Sequence, residues 1–514
     1  MMTFIDELEK VIDQTYNVSV TENGAVGYKT TGKYLLDANF KVASYRHMDE
    51  SDIITDWNKA FKENALLALK WLFYVRDVRG GLGERRTFRI IIKNLVKTYP
   101  GVVKALLPLM SEYGRWDDVL KLLHTSVEED VIKLISTTLH NDIANFRAGK
   151  SVSLLAKWLP SENTSSSETK QKAKYLISRL HVTPREYRKV LSGLRKYIDI
   201  VEGKMSANAW DKIDYEAVPS KANLIYSDAF LRRDEERRKA FLDKVSKGNA
   251  KINASVLFPH EIVHKYTANR YSLYGVRKDE AIEALWKALP DFGIENTITV
   301  ADGSGSMESR VSSDSSVTAL DVANALAIYT AQHCRGAFKN TYITFSQTPQ
   351  IVHLNSDTLL GNIKTALSHN ECANTDIEAV FKLILKTAVQ NGMAQEDLPK
   401  NILIISDMEF DAATSSYYSY YSRITKVNQS LFDTIAKQYE LHGYKMPKLI
   451  FWNVNSRTCT IPVTENELGV ALVSGFSVNI MKMVMSNNLD PYEILCETLN
   501  SERYEPIVKA LLKQ

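Results

Sequence analysis

The sequence predicts two architectures in one chain: an all-α helical-repeat part over residues 1–290, then an α/β doubly wound, Rossmann-like part over residues 291–514. Three observations carry this. Apolar residues recur at spacings of three and four through the first part, as in Ala65, Leu66, Leu69, Leu72, Phe73 and then Ile90, Ile91, Leu95, Val96. After Pro290, short β-rich runs alternate with helical stretches, the pattern of a mostly parallel sheet. The charge also changes sign there. Residues 1–290 hold 47 Lys+Arg against 37 Asp+Glu, a net of +10, and residues 291–514 hold 17 against 24, a net of −7.

In the first part, prolines fall at expected breaks (Pro100, Pro160, Pro184, Pro219, Pro259), and no strong β-alternation is visible. Many helices with short turns imply stacked helical pairs or a large bundle, although no fixed-period repeat is visible. Ser161–Thr169 (SENTSSSET) reads as a polar surface loop. In the second part the expected strands are Ile298–Ala301, Thr341–Phe345, Ile351–Leu354, Asn401–Ser406, Lys448–Val454 and Val470–Phe476. The expected helices are Val317–His333, Ile377–Val389 and Leu431–Tyr439.

The 45% hydrophobic and 24% charged content of the 514 residues excludes a disordered or fibrous chain. No apolar run approaches the ~20 residues of a membrane span. The acidic, amphipathic start MMTFIDELEKVIDQ does not fit a signal peptide. Cys334, Cys372, Cys459 and Cys496 form no Cys-x-x-Cys pair, which favours reduced thiols and a cytoplasmic protein.

Directly after the first strand of the second part comes Asp302-Gly303-Ser304-Gly305-Ser306. Glycines let the chain turn tightly, so that one carboxylate and two hydroxyls aim at one spot. Thr375 opens the helix at Ile377, and Asp407 follows the strand Asn401–Ser406. Hard oxygen ligands of this kind suit Mg2+, Mn2+ or Ca2+, and doubly wound sheets place ligands at the carboxyl ends of their strands. A coordination position is left for water or a partner's carboxylate.

This set, in this order, resembles the von Willebrand factor A domain with its metal-ion-dependent adhesion site. The first part carries further strings: VRDVRGGLGERRTFR (75–89), SEYGRWDDVL (111–120), SLLAKWLPSEN (153–163) and EYRKVLSGLRKYIDIVEGKMSANAWDKIDYEAVPS (186–220). Together with ISDMEFD (405–411), they resemble the Ro (TROVE) RNA-binding superfamily, and most of all its uncharacterised plant, bacterial and viral branch. The resemblance implies a ring of HEAT-like paired helices followed by a von Willebrand A domain, binding structured or single-stranded RNA without catalysis. On that reading Arg76, Arg79, Arg85, Arg86, Arg89, Arg115, Arg188, Lys189, Arg195 and Lys196 hold RNA phosphates in a monomeric scaffold. Trp116 and Trp158 are candidates for base stacking, though tryptophans more often pack in cores.

Two further features stand apart. His260-Glu261-Ile262-Val263-His264 matches the H-E-x-x-H pattern of zinc hydrolases, with Glu280 and Glu283 as candidate third ligands by spacing alone. Pro259 places the motif at a helix start. Asp411–Ser422 holds Tyr417, Tyr418, Tyr420 and Tyr421, a candidate partner-binding surface or a packing surface. The alternatives to the RNA scaffold are therefore a metal-dependent protein-interaction scaffold without RNA, and the zinc hydrolase.

Overall fold

From Tyr34 to Lys287 every described element is an α- or 3-10 helix, and a six-stranded sheet follows. The computed structural model describes residues 4–5, 8, 11–12, 16–24, 26–268, 275–345, 349–369, 377–410, 429–462, 470–486, 488 and 490–513. Thr375 and the four tyrosines at 417, 418, 420 and 421 lie outside these residues.

The sheet strands are β1 (Thr297–Asp302), β2 (Thr341–Phe345), β3 (Ile351–His353), β4 (Asn401–Ser406), β5 (Lys448–Asn453) and β6 (Val470–Ser474). Their order is β6-β5-β4-β1-β2-β3. All pairs are parallel except β2 with β3. Parallel strands covered on both faces read as unbroken apolar runs, and β1 is buried along its whole length. The helix Ala319–His333 lies under the same rule: Ala319 through Ala331 are all buried. Its start is fixed by Thr318, whose hydroxyl accepts from Asp321 N while the Asp321 carboxylate accepts from Thr318 N. The helix thus begins two residues later than the periodicity suggested. Strand order reverses between β1 and β4, the switch point at which doubly wound sheets open a ligand crevice.

The chain forms two compact units that are not continuous in sequence. One holds Met1–Trp71, Arg79–Leu82 and Ala254–Glu502, and the other holds Leu72–Val78, Gly83–Asn253 and Arg503–Gln514. In the sheet-bearing unit, the helix Tyr34–Phe40 lies by the strand ends: Asn453 Nδ2 donates to Phe40 O (2.9 Å) and Ala43 N donates to Ser474 Oγ (3.0 Å). Trp57 and Trp71 stack at 6.3 Å, and the buried Trp71 indole N–H is satisfied by Asn39 Oδ1.

In the helical unit, Arg503 forks onto the buried Asp77 at 2.5 and 2.8 Å, and Tyr113 stacks on Tyr504 at 5.8 Å. The helix Pro184–Ile198 starts as Thr-Pro-Arg-Glu dictates, with Pro184 in its first turn and a reciprocal Thr183–Glu186 cap. Part of the expected 161–169 loop is helical, because Ser166 caps a helix over Ser167–Arg179. Among the described residues no helix is long and apolar enough to cross a membrane.

Candidate metal centre at the carboxyl edge of the sheet

β1 ends on Asp302 and β4 ends one residue before Asp407, and the two strands pair in parallel register, Ala301 opposite Ile405. The register alone therefore brings both carboxylates to one edge. Asp302 is fixed through both oxygens: Oδ1 accepts from Ser304 N (2.9 Å) and Oδ2 from Ser406 Oγ (2.6 Å). Ser304 and Ser306 face each other, Oγ to Oγ at 3.0 Å. Asp407 Oδ1 accepts from Glu409 N (3.2 Å). The chain between them turns through Met408 at φ +62°, a left-handed conformation that costs a side-chain-bearing residue roughly 1–2 kcal/mol. Such strain concentrates at functional sites.

Asp407 is 0% exposed, yet its Oδ2 receives no properly directed hydrogen bond. Its neighbour is the Arg457 guanidinium, Nη2 at 3.6 Å. Burial, reinforced by the negative charge of Asp302, pushes the Asp407 carboxyl up to about 7; the Ser306 hydroxyl, the Glu409 amide and Arg457 hold it back. A buried carboxylate oxygen without a donor, next to a second carboxylate, is costly unless a positive charge completes it. Two carboxylates and two hydroxyls on one edge fit a hard divalent cation. The sequence placed Asp302, Ser304, Ser306 and Asp407 in this set, and the structure brings these four together.

Sequence reasoning missed three residues here: Ser406, which positions Asp302; Arg457; and Glu409. The buried Glu409 carboxylate accepts from Arg457 N (2.8 Å), Thr458 N (2.9 Å) and Glu22 N (2.8 Å). Arg457 follows β5 by four residues, so the strand-end rule that found Asp302 and Asp407 also points there.

The H-E-x-x-H residues have other partners. Glu261 Oε2 accepts from Phe258 N (3.1 Å) and caps its own helix, Pro259–Thr267. His264 Nε2 pairs with Ser316 Oγ (3.0 Å), whereas the His260 ring lies edge-on to Phe476 at 5.0 Å. Glu280 is paired with Lys278 at 3.0 Å. Glu283 is buried and accepts from Leu359 N (2.6 Å), Leu360 N (3.1 Å) and Tyr266 Oη (3.1 Å). It thereby closes the start of the helix Leu359–Ser368. Among the described residues no group of three or more His, Cys, Asp or Glu side chains is placed to hold a metal. Glu283→Ala strands two amides, so thermal unfolding should show a loss of about 1–3 kcal/mol with unchanged bound-metal content by elemental analysis.

The ten basic residues divide. Arg76 is 1% exposed and buried against Asp118, Nε to Oδ2 at 2.8 Å, so it is part of the core rather than an RNA contact. Arg89 donates to Asp118 Oδ1 (2.6 Å) and Asp117 Oδ2 (2.7 Å). Arg195 donates to Ala156 O (2.8 Å), Leu159 O (2.6 Å) and Ser161 Oγ (2.6 Å), tying down the end of the helix Leu155–Trp158. Arg188 is exposed but paired with Glu162 at 2.6 Å. Arg79, Arg85, Arg86, Lys189 and Lys196 are exposed, and Arg115 is half-buried with its guanidinium 5.3 Å from the Trp158 ring centre. Trp116 is buried.

A family model described as a domain of unknown function, DUF2828, matches residues 21–145 and 152–291, more than half of the chain. The chain belongs to the DUF2828 family. A second model, the domain of unknown function DUF7788, matches residues 296–506 of this DUF2828 protein. The uncharacterized protein L728 of Acanthamoeba polyphaga mimivirus is 28% identical over 542 residues, spanning 96% of the DUF2828 chain and 89% of the viral protein. The crystal structure of the Ro (RSR) protein of Deinococcus radiodurans aligns with 91% of the chain and 93% of its own length, at 13% identity and a TM-score of 0.37.

Proposed function

We propose that this DUF2828 protein is a non-catalytic RNA-binding scaffold whose sheet, of the von Willebrand A type, holds a divalent cation for a partner's carboxylate. The observation that carries the cation is the buried, undonated Oδ2 of Asp407 beside Asp302, Ser304 and Ser306. Mg2+ is the simplest occupant, with Mn2+ or Ca2+ as chemical equivalents. When bound, the ion supplies an electrophilic position for an acidic group. This chain's own residues hold its ligands in place: Ser406 and the Ser304 amide orient Asp302, and the Glu409 amide orients Asp407.

RNA binding is supported by the Ro-like strings and by the exposed cations at Arg85, Arg86, Lys189 and Lys196. Phosphate contacts release counterions, so affinity should fall linearly on a log–log plot against salt. Fluorescence anisotropy with a folded RNA bearing a free single-stranded 3′ end tests this. Binding at low salt is expected, with a slope made shallower by about one to two in Arg85→Ala/Arg86→Ala. No detectable binding at low salt would sink the RNA reading. A second reading, a metal-dependent protein-interaction scaffold without RNA, is favoured by the intramolecular commitments of Arg76, Arg89 and Arg195.

A further inference from the structure

Resting on the RNA reading, we propose that Arg115, Trp158 and Arg85 form a slot for one unpaired nucleotide of a single strand. The base stacks on the Trp158 indole, and the adjoining phosphate lies against the two guanidiniums. All three residues belong to the helical unit.

Arg115 is the central member. Its backbone N–H donates to Asp118 Oδ2 (3.1 Å), which fixes where its side chain starts. The guanidinium is half-buried and stands 5.3 Å from the centre of the Trp158 ring, within range of a cation–π contact. Yet among the described residues no acceptor takes any of its N–H donors. The nearby carboxylates are already engaged: Asp118 receives Arg76 Nε (2.8 Å) and Arg89 Nε (2.6 Å), and Asp117 receives Arg89 Nη2 (2.7 Å). Arg85 is exposed and likewise has no acid partner among the described residues. Arg76, Arg85, Arg89 and Arg115 thus set four positive charges against two negative ones, Asp117 and Asp118.

Burial, and then the charge of Arg85, hold the Arg115 guanidinium below its ordinary value. A half-buried cation beside a second cation, with its donors unused, is costly unless an anion completes it. Guanidiniums in such a pair suit a phosphate, whose oxygens accept from both.

Trp158 points to more than a bare phosphate. Its indole is half-buried, and the ring N–H has no acceptor among the described residues. Trp116, next to Arg115, is by contrast buried and offers no such face. The turn Leu155–Trp158 is held by Arg195, which donates to Ala156 O (2.8 Å) and Leu159 O (2.6 Å). Just beyond it, Tyr187 Oη donates to Pro160 O (2.9 Å). A preset aromatic beside a phosphate seat matches a nucleotide, whose base brings a π-face and whose backbone brings the anion. A duplex keeps its bases stacked inside and offers phosphates only, so the slot selects single strands.

Fluorescence anisotropy of the full chain with labelled oligoadenylate, beside a blunt RNA duplex, tests the slot. Trp158→Ala should weaken oligoadenylate by about 10- to 100-fold and leave the duplex unchanged. Trp158→Phe keeps a ring and should hold most of the affinity, but lose the quenching of tryptophan emission that oligoadenylate causes in the wild type. Arg115→Gln removes no side-chain hydrogen bond, so it should fold as the wild type does; its log–log salt slope for oligoadenylate should be shallower by about 0.7. Unchanged affinity in Trp158→Ala, or equal losses for oligoadenylate and duplex, would overturn the slot. If Trp158→Ala does not fold, an unchanged slope in Arg115→Gln together with full quenching in Trp158→Phe would overturn it instead. Wild-type binding to the folded RNA but not to oligoadenylate would overturn the slot and leave the RNA reading standing. Binding to neither would overturn both.

Discussion

Asp118→Ala should lose about 3–5 kcal/mol of stability in the helical unit, read as a fall in the urea midpoint by tryptophan fluorescence. Asp118 is buried and receives Arg76 Nε (2.8 Å), Arg89 Nε (2.6 Å) and the Arg115 backbone N–H (3.1 Å). Its loss leaves the Arg76 guanidinium buried beside no counter-charge, a different situation from loss of an exposed pair such as Lys172 with Glu168. Against a total stability of roughly 5–15 kcal/mol, that is enough to unfold the unit at moderate denaturant. Replacing both partners, as Arg76→Met/Asp118→Leu, should recover most of the loss, because no buried charge remains. Gly114→Ala tests the same spot by crowding: the added Cβ would lie 2.5 Å from Asp118 Oδ2 and 2.9 Å from Arg76 Nε. A loss below about 1 kcal/mol in Asp118→Ala would mean that water reaches the Arg76 guanidinium and that the pair is not a core element.

The second large effect concerns Asp407. In wild-type protein, Mg2+ at a hundredfold excess over its dissociation constant should stabilise the sheet-bearing unit by about 2.7 kcal/mol, and Asp407→Asn should show no such shift. Without divalent ions the order reverses. The folded carboxyl titrates near 7, through burial and then the charge of Asp302, against an ordinary value of 3.8. Between these values the folded state keeps a proton that the unfolded chain has released, so metal-free stability should fall as pH rises through this window. Asp407→Asn carries no such proton and should flatten that stretch of the profile. Divalent affinity in the wild type should move oppositely, rising with pH until the carboxyl is ionised. Differential scanning fluorimetry from pH 5 to pH 8, with and without Mg2+, reads both trends; a pH-independent unfolding temperature in the metal-free wild type would contradict them.

Much of the architecture was legible because the central parallel strands are buried on both faces. Asn401–Ser406 and Lys448–Asn453 are apolar runs that no half-exposed strand would show, and both were placed from the sequence within a residue of their ends. Asp302 and Asp407 were legible because each directly ends or follows such a run. The remaining residues of the centre were not. Glu409 and Arg457 meet only because β4 pairs with β5 and carries the loops after both strands to one edge, where the Glu409 carboxylate accepts from Arg457 N (2.8 Å).

The basic residues were harder for a similar reason. Arg76 closes an apolar helix, ALLALKWLFYVR, whose surroundings are core, and Arg195 turns its guanidinium onto helix-terminal carbonyls. Charge counted along the chain does not separate such arginines from exposed ones such as Arg85, because a partner supplied by another element leaves no trace in the local sequence. The +10 of residues 1–290 therefore overstates the charge open to a nucleic acid.

The most direct test is crystallographic. A crystal of the full chain grown or soaked with Mn2+ should show one anomalous peak bounded by Asp302, Ser304, Ser306 and Asp407, with Arg457 moved off Asp407. No peak there at saturating Mn2+, with Arg457 still seated beside Asp407, would contradict the cation site on which the account rests.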